Sequence, residues 1–278
     1  MAQRTPLWKT RARSLERAGR ELRENSPDAV HDLRVALRRV SATATALGRK
    51  KLAKKSRSIV RSLSDLRQIE VDRGLLTRVR KIGWVPEDVA TAVDARWDAL
   101  LREGARVAER RIPEEGLERL RRKVGRLSRK KERNLLPRLE QARERAEKRL
   151  VPLPEKASDR ALHRYRLAVK EARYLAEDLA LAGRPGLEGE IEHRKKIQDT
   201  LGRWNDVRLF RRHILSMRKD AERRGSVTFV RELDRLANAL EPAVRTARAE
   251  ALQLTSERFV APAVLGARPR RAPVPISR

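Results

Sequence analysis

The sequence contains no cysteine, few aromatic residues and no long apolar run. The lack of cysteine excludes disulfide bonds, thiolate chemistry and cysteine-ligated metals, and it fits a reducing compartment. No apolar run is long enough to cross a bilayer and no signal-peptide pattern opens the chain, so we expect a cytoplasmic protein with no membrane partner. Aromatic residues make up only 3% of the chain, whereas proteins that bind single-stranded nucleic acid stack the bases on aromatic side chains.

Positive charge, by contrast, is in large excess. Lysine and arginine together number 68 against 38 acidic residues, which gives a formal net charge of +30. A charge of this size favours a polyanionic partner. Because aromatic residues are scarce, the partner we expect is a polymer of phosphates without bases. The backbone of duplex DNA or RNA stays open as an alternative.

Helical periodicity dominates the chain and strand alternation is nearly absent, which predicts an all-α protein. Prolines and glycines mark the helix ends, with a kink expected at Pro137 and a linker at residues 151–154. Residues 259–278 combine proline with arginine and are predicted to form a flexible basic tail. The predicted helices span residues 5–24, 26–47, 49–81, 87–111, 114–150, 158–183, 187–224 and 226–258.

One motif occurs twice, once in each half of the chain. It has the form Ser-x4-His-x2-Arg-x3-(Arg or Lys), and the chain contains only four histidines in all. Since a downstream stretch (residues 63–71 and 201–209) also repeats, we expect two copies of a several-helix unit, over residues 5–111 and 112–258. The motif residues are Ser26, His31, Arg34 and Arg38 in the first copy and Ser158, His163, Arg166 and Lys170 in the second.

Each motif predicts a basic stripe on a helix. The histidine and its two cations fall within about 60° of arc, and the serine is expected to cap the helix N-terminus, whose free N–H groups favour phosphate. Val35 and Leu167 border the stripes, which is typical of a helix that lines a cleft. The alternative interpretation is an ordinary solvated basic face. The residues predicted to form the opposite, buried faces are Leu33, Leu37, Val40, Ala44 and Leu47, and Tyr165, Val169, Ala172, Ala176 and Leu179.

The segment His31-Asp-Leu-Arg-Val-Ala-Leu-Arg-Arg resembles the signature of the CHAD family, the conserved histidine α-helical domain. His163-Arg-Tyr-Arg-Leu-Ala-Val-Lys resembles its second copy, and the Leu-Gly and Asn-Asp pairs within residues 201–206 resemble its downstream element. The resemblance covers about residues 5–258. It implies two pseudo-symmetric four-helix units that form one helical domain around a basic central cleft or pore. It also implies binding of inorganic polyphosphate, often at polyphosphate granules.

The resemblance also implies a set of ligand-facing residues. The first copy departs from the family pattern at Ser64 and Gln68, and Ser41 stands where the second copy has arginine, so we expect the second half-site to be the stronger one. The candidate polyphosphate-binding residues are His31, Arg34, Arg38, Arg57, Arg61, His163, Arg166, Lys170, Arg173, Lys195 and Lys196.

Signals for catalysis are weak. His193 and His213 lack the spacing of a zinc motif, and no Gly-x-x-x-x-Gly-Lys-Ser/Thr loop is present. Glu190, Glu192 and Arg194 are similar to the Glu-x-Glu-x-Lys pattern of triphosphate-tunnel enzymes, but those are β-barrels, and acids in a basic helix more often pair with cations one turn away. We therefore expect no enzyme activity, no cofactor and no metal.

The expected function is non-catalytic binding of inorganic polyphosphate, and two alternatives remain. The first is general nucleic-acid binding through the arginine-rich segment 119–149 and the tail. The second is hydrolysis of a phosphate polymer, or regulation of an enzyme that hydrolyses one. The sequence leaves the oligomeric state open.

Overall fold

The computed structural model describes residues 6–24, 26, 28–127, 134–150 and 157–256. Within these ranges the chain forms ten α-helices and no strand, which confirms the all-α class. None of these ten helices is both long and apolar enough to cross a membrane. The helices are α1 (Leu7–Arg23), α2 (Ala29–Ala46), α3 (Lys50–Ser62), α4 (Ser64–Lys81), α5 (Glu87–Arg111), α6 (Glu114–Gly125), α7 (Leu135–Leu150), α8 (Asp159–Leu181), α9 (Glu188–Arg223) and α10 (Val227–Ser256).

Two predicted helices are each divided in the structure. The helix predicted over 49–81 is interrupted at Leu63, where α3 ends and α4 begins. The helix predicted over 114–150 is two helices, α6 and α7. The kink predicted at Pro137 is wrong, because Pro137 lies in the first turn of α7, where an N–H group has no helical partner to lose. The predicted linker at 151–154 and tail at 259–278 lie outside the described residues.

The two predicted serine caps have different outcomes. Ser158 caps α8 as predicted, since its side chain accepts a hydrogen bond from the backbone N–H of Ala161 at 3.3 Å. The cap predicted at Ser26 is wrong. The helix α2 begins later, after Asp28, which adopts a left-handed conformation with φ of 60° and makes no capping hydrogen bond through its side chain. The stripe of the first copy is therefore nearer to its helix N-terminus than predicted.

The helices pack in the same order in both halves of the chain. Helix α1 packs on α2, α2 on α3 and α4 on α5, while α7 packs on α8, α8 on α9 and α9 on α10. The long helix α9 thus occupies the position that α3 and α4 share in the first half. The halves meet where α2 contacts α8 and where α4 contacts α9, and α6 packs on α1. This arrangement confirms the predicted fold class of two pseudo-symmetric units in one helical domain.

Buried apolar side chains hold the units together as well as filling each one. One cluster lies around Leu33 and Leu37 and also includes Leu117 and Leu120 of α6, and another lies inside the second unit, around Tyr165 and Trp204. Two further clusters join α1 and α2 to α7 and α8, and α4 and α5 to α9 and α10. All ten residues predicted for the buried faces of the stripe helices are buried. The stripes consequently face away from these cores.

Two buried polar contacts also cross between the units. In the first, Arg11 Nε of α1 donates to Asp178 Oδ1 of α8 at 2.9 Å, and the other oxygen of Asp178 accepts the hydroxyl of Thr43. In the second, His213 Nδ1 of α9 lies 2.5 Å from Asp72 Oδ2 of α4. Both acids are completely buried. Such contacts fix the relative positions of α2 and α8, which carry the stripes, and of α4 and α9 beside them.

Candidate anion-binding site

The two basic stripes converge where α2 contacts α8. Cations from both helices interact electrostatically there, together with one cation from α4. Elementary electrostatics makes such a group costly, because like charges at close range repel each other most strongly where water is excluded. We name this group the central cationic cluster. Its members are Arg34, Arg38, Arg67, Arg166 and Lys170.

Within the cluster, Lys170 has the most strongly lowered pKa. Burial lowers its pKa from the ordinary value of 10.5 to about 6, and Arg38, Arg166, Arg173 and Arg34 contribute further in the same direction. Its Nζ lies 5.8 Å from the centroid of the Tyr174 ring. At neutral pH the side chain of Lys170 is therefore largely an uncharged amine in the ligand-free protein.

The two arginines of the first stripe have pKa values that are shifted in the same direction. Arg34 is only 7% exposed, and burial, Arg38 and Arg67 lower its pKa to about 10. The pKa of Arg38 is also lowered, mainly by burial, with Arg166 and Arg67 adding to the effect. These guanidinium groups remain charged at neutral pH. They repel one another, and a bound anion would relieve that repulsion.

Equivalent arginines of the two copies each keep an unused hydrogen-bond donor. The Nε atoms of Arg34 and Arg166 are buried, and neither has a hydrogen-bond partner among the described residues. Arg34 uses Nη1 to donate to the backbone carbonyl of Val60 at 3.0 Å. Arg166 instead lies against Gly202, where a Cβ would be 3.8 Å from Arg166 Nη2. Buried donors of this kind are normally satisfied, so these two are suited to an acceptor brought by a ligand.

Most residues of the central cationic cluster have no acidic partner in the described part of the chain. Within the described ranges, Arg67 makes ion pairs with Asp28 and Glu70, whereas the other four cluster cations make none. Asp206 is close enough to interact with Arg166 and Arg67, but burial raises its pKa and thereby disfavours its charged form. Much of this chain behaves differently, since many of its arginines pair with acids. The cluster is thus a local surplus of positive charge built from both units.

The two histidines flank the cluster and favour their neutral forms. Burial and Arg67 lower the pKa of His31, against the opposing effect of Asp32 and Asp28. Burial, followed by Arg166 and Arg208, lowers the pKa of His163. A neutral imidazole still donates one hydrogen bond, and an anion beside it would raise its pKa.

The family model of the CHAD domain matches residues 7–215 of this chain. The chain belongs to the CHAD family. This confirms the resemblance seen in the sequence. No curated protein matches this CHAD chain.

Two solved structures share the CHAD fold of this chain. A CHAD domain from the plant Ricinus communis is 17% identical, with a TM-score of 0.70, and the match covers 92% of this chain and 91% of that one. PptA from Streptomyces chartreusis is 16% identical, with a TM-score of 0.71, covering 90% of this chain and 96% of that one. At these identities the likeness shows the fold alone.

The other predicted ligand residues of this CHAD domain have different surroundings. Arg173 is buried and already engaged: its Nη1 contacts Glu177 Oε1 at 2.6 Å, its Nε donates to Gln198 at 3.1 Å, and its guanidinium stacks 4.9 Å from the Tyr174 centroid. Arg57 is exposed and donates to Thr45 at 3.1 Å. Arg173 thus lowers the pKa of Lys170, while its own hydrogen bonds are satisfied within the protein.

Three further candidates lie on exposed parts of the CHAD surface. Lys195 and Lys196 are exposed on α9, and Lys195 Nζ lies 3.8 Å from Glu192. Arg61 lines a separate groove between α3 and α5. Val35 beside the first stripe is half-buried, and Leu167 beside the second is 48% exposed. The expectation that both apolar positions border a cleft therefore fits Val35 better than Leu167.

Sequence reasoning missed Arg67 as a member of the site. Arg67 lies in the first copy of the repeated stretch, beside Gln68, where the first copy departs from the family pattern. Its position in the repeated stretch corresponds to Asn205, which lies next to Asp206 beside the same cluster. This correspondence is the sequence signal from which Arg67 can be predicted.

The acidic pattern that is similar to a triphosphate-tunnel enzyme has an ordinary structural role. Glu190 is buried and accepts hydrogen bonds from Arg143 and Arg194, the latter at 2.7 Å across one helical turn. The predicted pairing with neighbouring cations is confirmed. In the part of the chain that the structure describes, no group of three or more histidine and acidic side chains is arranged to hold a metal ion.

Proposed function

We propose that this CHAD domain binds inorganic polyphosphate at the central cationic cluster and does not catalyse its turnover. The observation that carries the proposal is that four basic side chains, two from each unit, converge without ion-pair partners among the described residues, and three of them are arginines. The proposed place of action is the cytoplasm, at polyphosphate granules where these form. Polyphosphate is the proposed partner rather than nucleic acid, because the chain has few aromatic residues on which to stack bases.

The chemistry of the site suits a chain of phosphates. Guanidinium groups donate paired hydrogen bonds to phosphate oxygens, and these charge-assisted bonds are about twice as strong as neutral ones. The unused Nε atoms of Arg34 and Arg166 would each gain an acceptor. Release of counterions from the polymer would add to the driving force, so the affinity should fall steeply as salt is raised.

The pseudo-symmetry explains why a polymer would be preferred to a single phosphate. Each unit contributes half of the cluster, so one ligand must reach both halves to use all of it. A chain that contacts both units gains from effective concentration, whereas triphosphate reaches fewer cations. Affinity should therefore increase with chain length until the cluster is occupied.

A competition experiment tests the proposal. Labelled long-chain polyphosphate bound to the protein is displaced by unlabelled polyphosphate, tRNA or duplex DNA at physiological salt. We expect polyphosphate to compete far better per charge. The Arg38→Gln/Arg166→Gln variant should lose at least about tenfold in affinity, because two charge-assisted contacts are removed. The matched control is Arg212→Gln/Arg231→Gln, which removes the same charge from exposed positions of α9 and α10.

Three results would contradict the proposal, each in a different way. Equal displacement by tRNA per charge would favour general nucleic-acid binding. Release of phosphate from the polymer over time would favour a hydrolase. Equal loss of affinity in the cluster variant and the control would mean that net charge, rather than this cluster, holds the ligand.

A further inference from the structure

A second basic cavity lies outside the central cationic cluster, between α3 and α5. It has a volume of about 430 Å³, within the usual range for pockets that bind small ligands. Its lining includes three cations and two hydroxyl groups, and no acidic side chain is among the described residues that line it. The lining residues are Lys55, Ser58, Ile59, Arg61, Ser62 and Arg111.

The cations of this groove are unpaired. Lys55, Arg61 and Arg111 make no ion pair with any described residue. Other exposed arginines of the chain pair with acids, as Arg80 does with Glu87. As in the central cationic cluster, three unpaired cations around one concave space attract an anion, because no acidic side chain among the described residues neutralises them.

The groove is specific to the first unit and does not follow from the repeat. Helix α3 begins at Lys50 and helix α9 at Glu188. When these first residues are aligned, Asp199 is the counterpart of Arg61 in the second unit. Asp199 is exposed on α9, so the related position in the second unit carries an acid. A basic surface inherited by both copies would not show this reversal of charge.

We propose that the groove is a second binding site, which takes short linear phosphate anions of the diphosphate or triphosphate class. Lys55, Arg61 and Arg111 would hold the phosphate oxygens, and the hydroxyls of Ser58 and Ser62 would donate to them. The phosphates can come from a free short anion or from the end of a long polyphosphate chain. This site does not depend on ligand binding at the central cluster.

Titration with tripolyphosphate and with long-chain polyphosphate tests the groove. We expect Arg61→Gln/Arg111→Gln to weaken tripolyphosphate binding at least about tenfold. The surface control Arg212→Gln/Arg231→Gln should leave this binding within about twofold of the unsubstituted chain. Circular dichroism melts confirm that each variant is folded, as expected for substitutions at exposed groove positions.

A footprint on Lys55 locates the ligand directly. Acetylation of Lys55, measured by peptide mass spectrometry, should slow when tripolyphosphate is present, while Lys54, exposed one residue away, should react as before. A loss of affinity for tripolyphosphate alone would assign the groove to free short anions. A loss for long chains alone would assign it to a segment of the polymer.

The proposal would be overturned if the groove variant matched the surface control with both ligands and Lys55 stayed unprotected. That outcome is distinct from failure of the proposed polyphosphate function. If the proposed polyphosphate function failed, the central-cluster variant would match the surface control with long chains, whatever the groove variant did.

Discussion

Binding of polyphosphate should take up a proton, and the perturbation that reveals it is Lys170→Gln. In the ligand-free protein, burial and neighbouring arginines hold the pKa of Lys170 at about 6. Burial, the largest cause of this low pKa, would remain in the complex, but a polyanion would offset the arginine repulsion and attract the ammonium form, so it would raise the pKa of Lys170 towards its ordinary value. Lys170 would then be neutral before binding and charged afterwards.

The size of the effect follows from the two protonation states. At pH 8.5, a lysine with a pKa of about 6 is protonated in less than about 1% of molecules, and one with a pKa of 10.5 in about 99%. Binding at this pH should therefore take up at most about one proton, reached when the pKa of Lys170 returns fully to its ordinary value. Affinity should weaken by up to about tenfold for each unit of pH above neutrality, since one proton binds with the anion.

Isothermal titration calorimetry at pH 8.5, in two buffers with different heats of ionisation, measures this uptake. The histidines interfere little at this pH, because it lies well above their ordinary pKa of 6.5 and burial lowers both values further. The Lys170→Gln variant should take up almost no proton. The control Lys219→Gln, at an exposed lysine of α9, should behave like the unsubstituted chain. Tight binding without proton uptake, or equal uptake in both variants, would refute the reasoning.

Three other predictions follow from the structure. Lowering the pH from about 8 to about 6 should strengthen polyphosphate binding, and less so when both stripe histidines are glutamine, as salt-matched titrations would show. Arg11→Ala should cost about 3–5 kcal/mol in urea unfolding, because it leaves Asp178 buried without its cation; a cost below about 1 kcal/mol would contradict this. Gly104→Ala should lower the free energy of unfolding by about 1–3 kcal/mol, since its Cβ would lie 2.7 Å from Leu66 Cδ2. Gly74→Ala, which has open space around it, should not destabilise the protein, and equal thermal melts of the two variants would contradict this reasoning.

Helix boundaries were predictable where local chemistry sets them. Helix α5 lies between Pro86 and Pro113, and its predicted range is the observed one. Ser158 caps α8 because a serine before a helical pattern satisfies a free N–H group. The interruption at Leu63 has no such local signal. At this break the Val60 carbonyl accepts hydrogen bonds from Arg34 of α2 at 3.0 Å and from the Ser64 hydroxyl at 3.1 Å, so a contact from another helix takes part in it.

The candidate site was predictable in the residues that one helix carries, and less so where helices meet. Spacing alone groups His31, Arg34 and Arg38 on one stripe. Their convergence with the second stripe and with Arg67 depends on how α2, α4 and α8 pack, which spacing does not encode. The pairing of Arg173 with Glu177 is different: it spans one helical turn and could have been inferred from the sequence.

The departure at Ser64 shows how the two copies have diverged. The hydroxyl of Ser64 donates to the Val60 carbonyl at 3.1 Å, and the same oxygen accepts a hydrogen bond from Arg34. Its counterpart Gly202 has no side chain to donate, and it lies beside Arg166 within an unbroken helix. Both copies contain the arginine, but the contacts around its guanidinium group differ. An Arg34 variant therefore perturbs the α3–α4 junction as well as the ligand surface. Arg166 lacks that second role. A variant at Arg166 therefore reports on the ligand contact that both copies share, without a change at a helix junction.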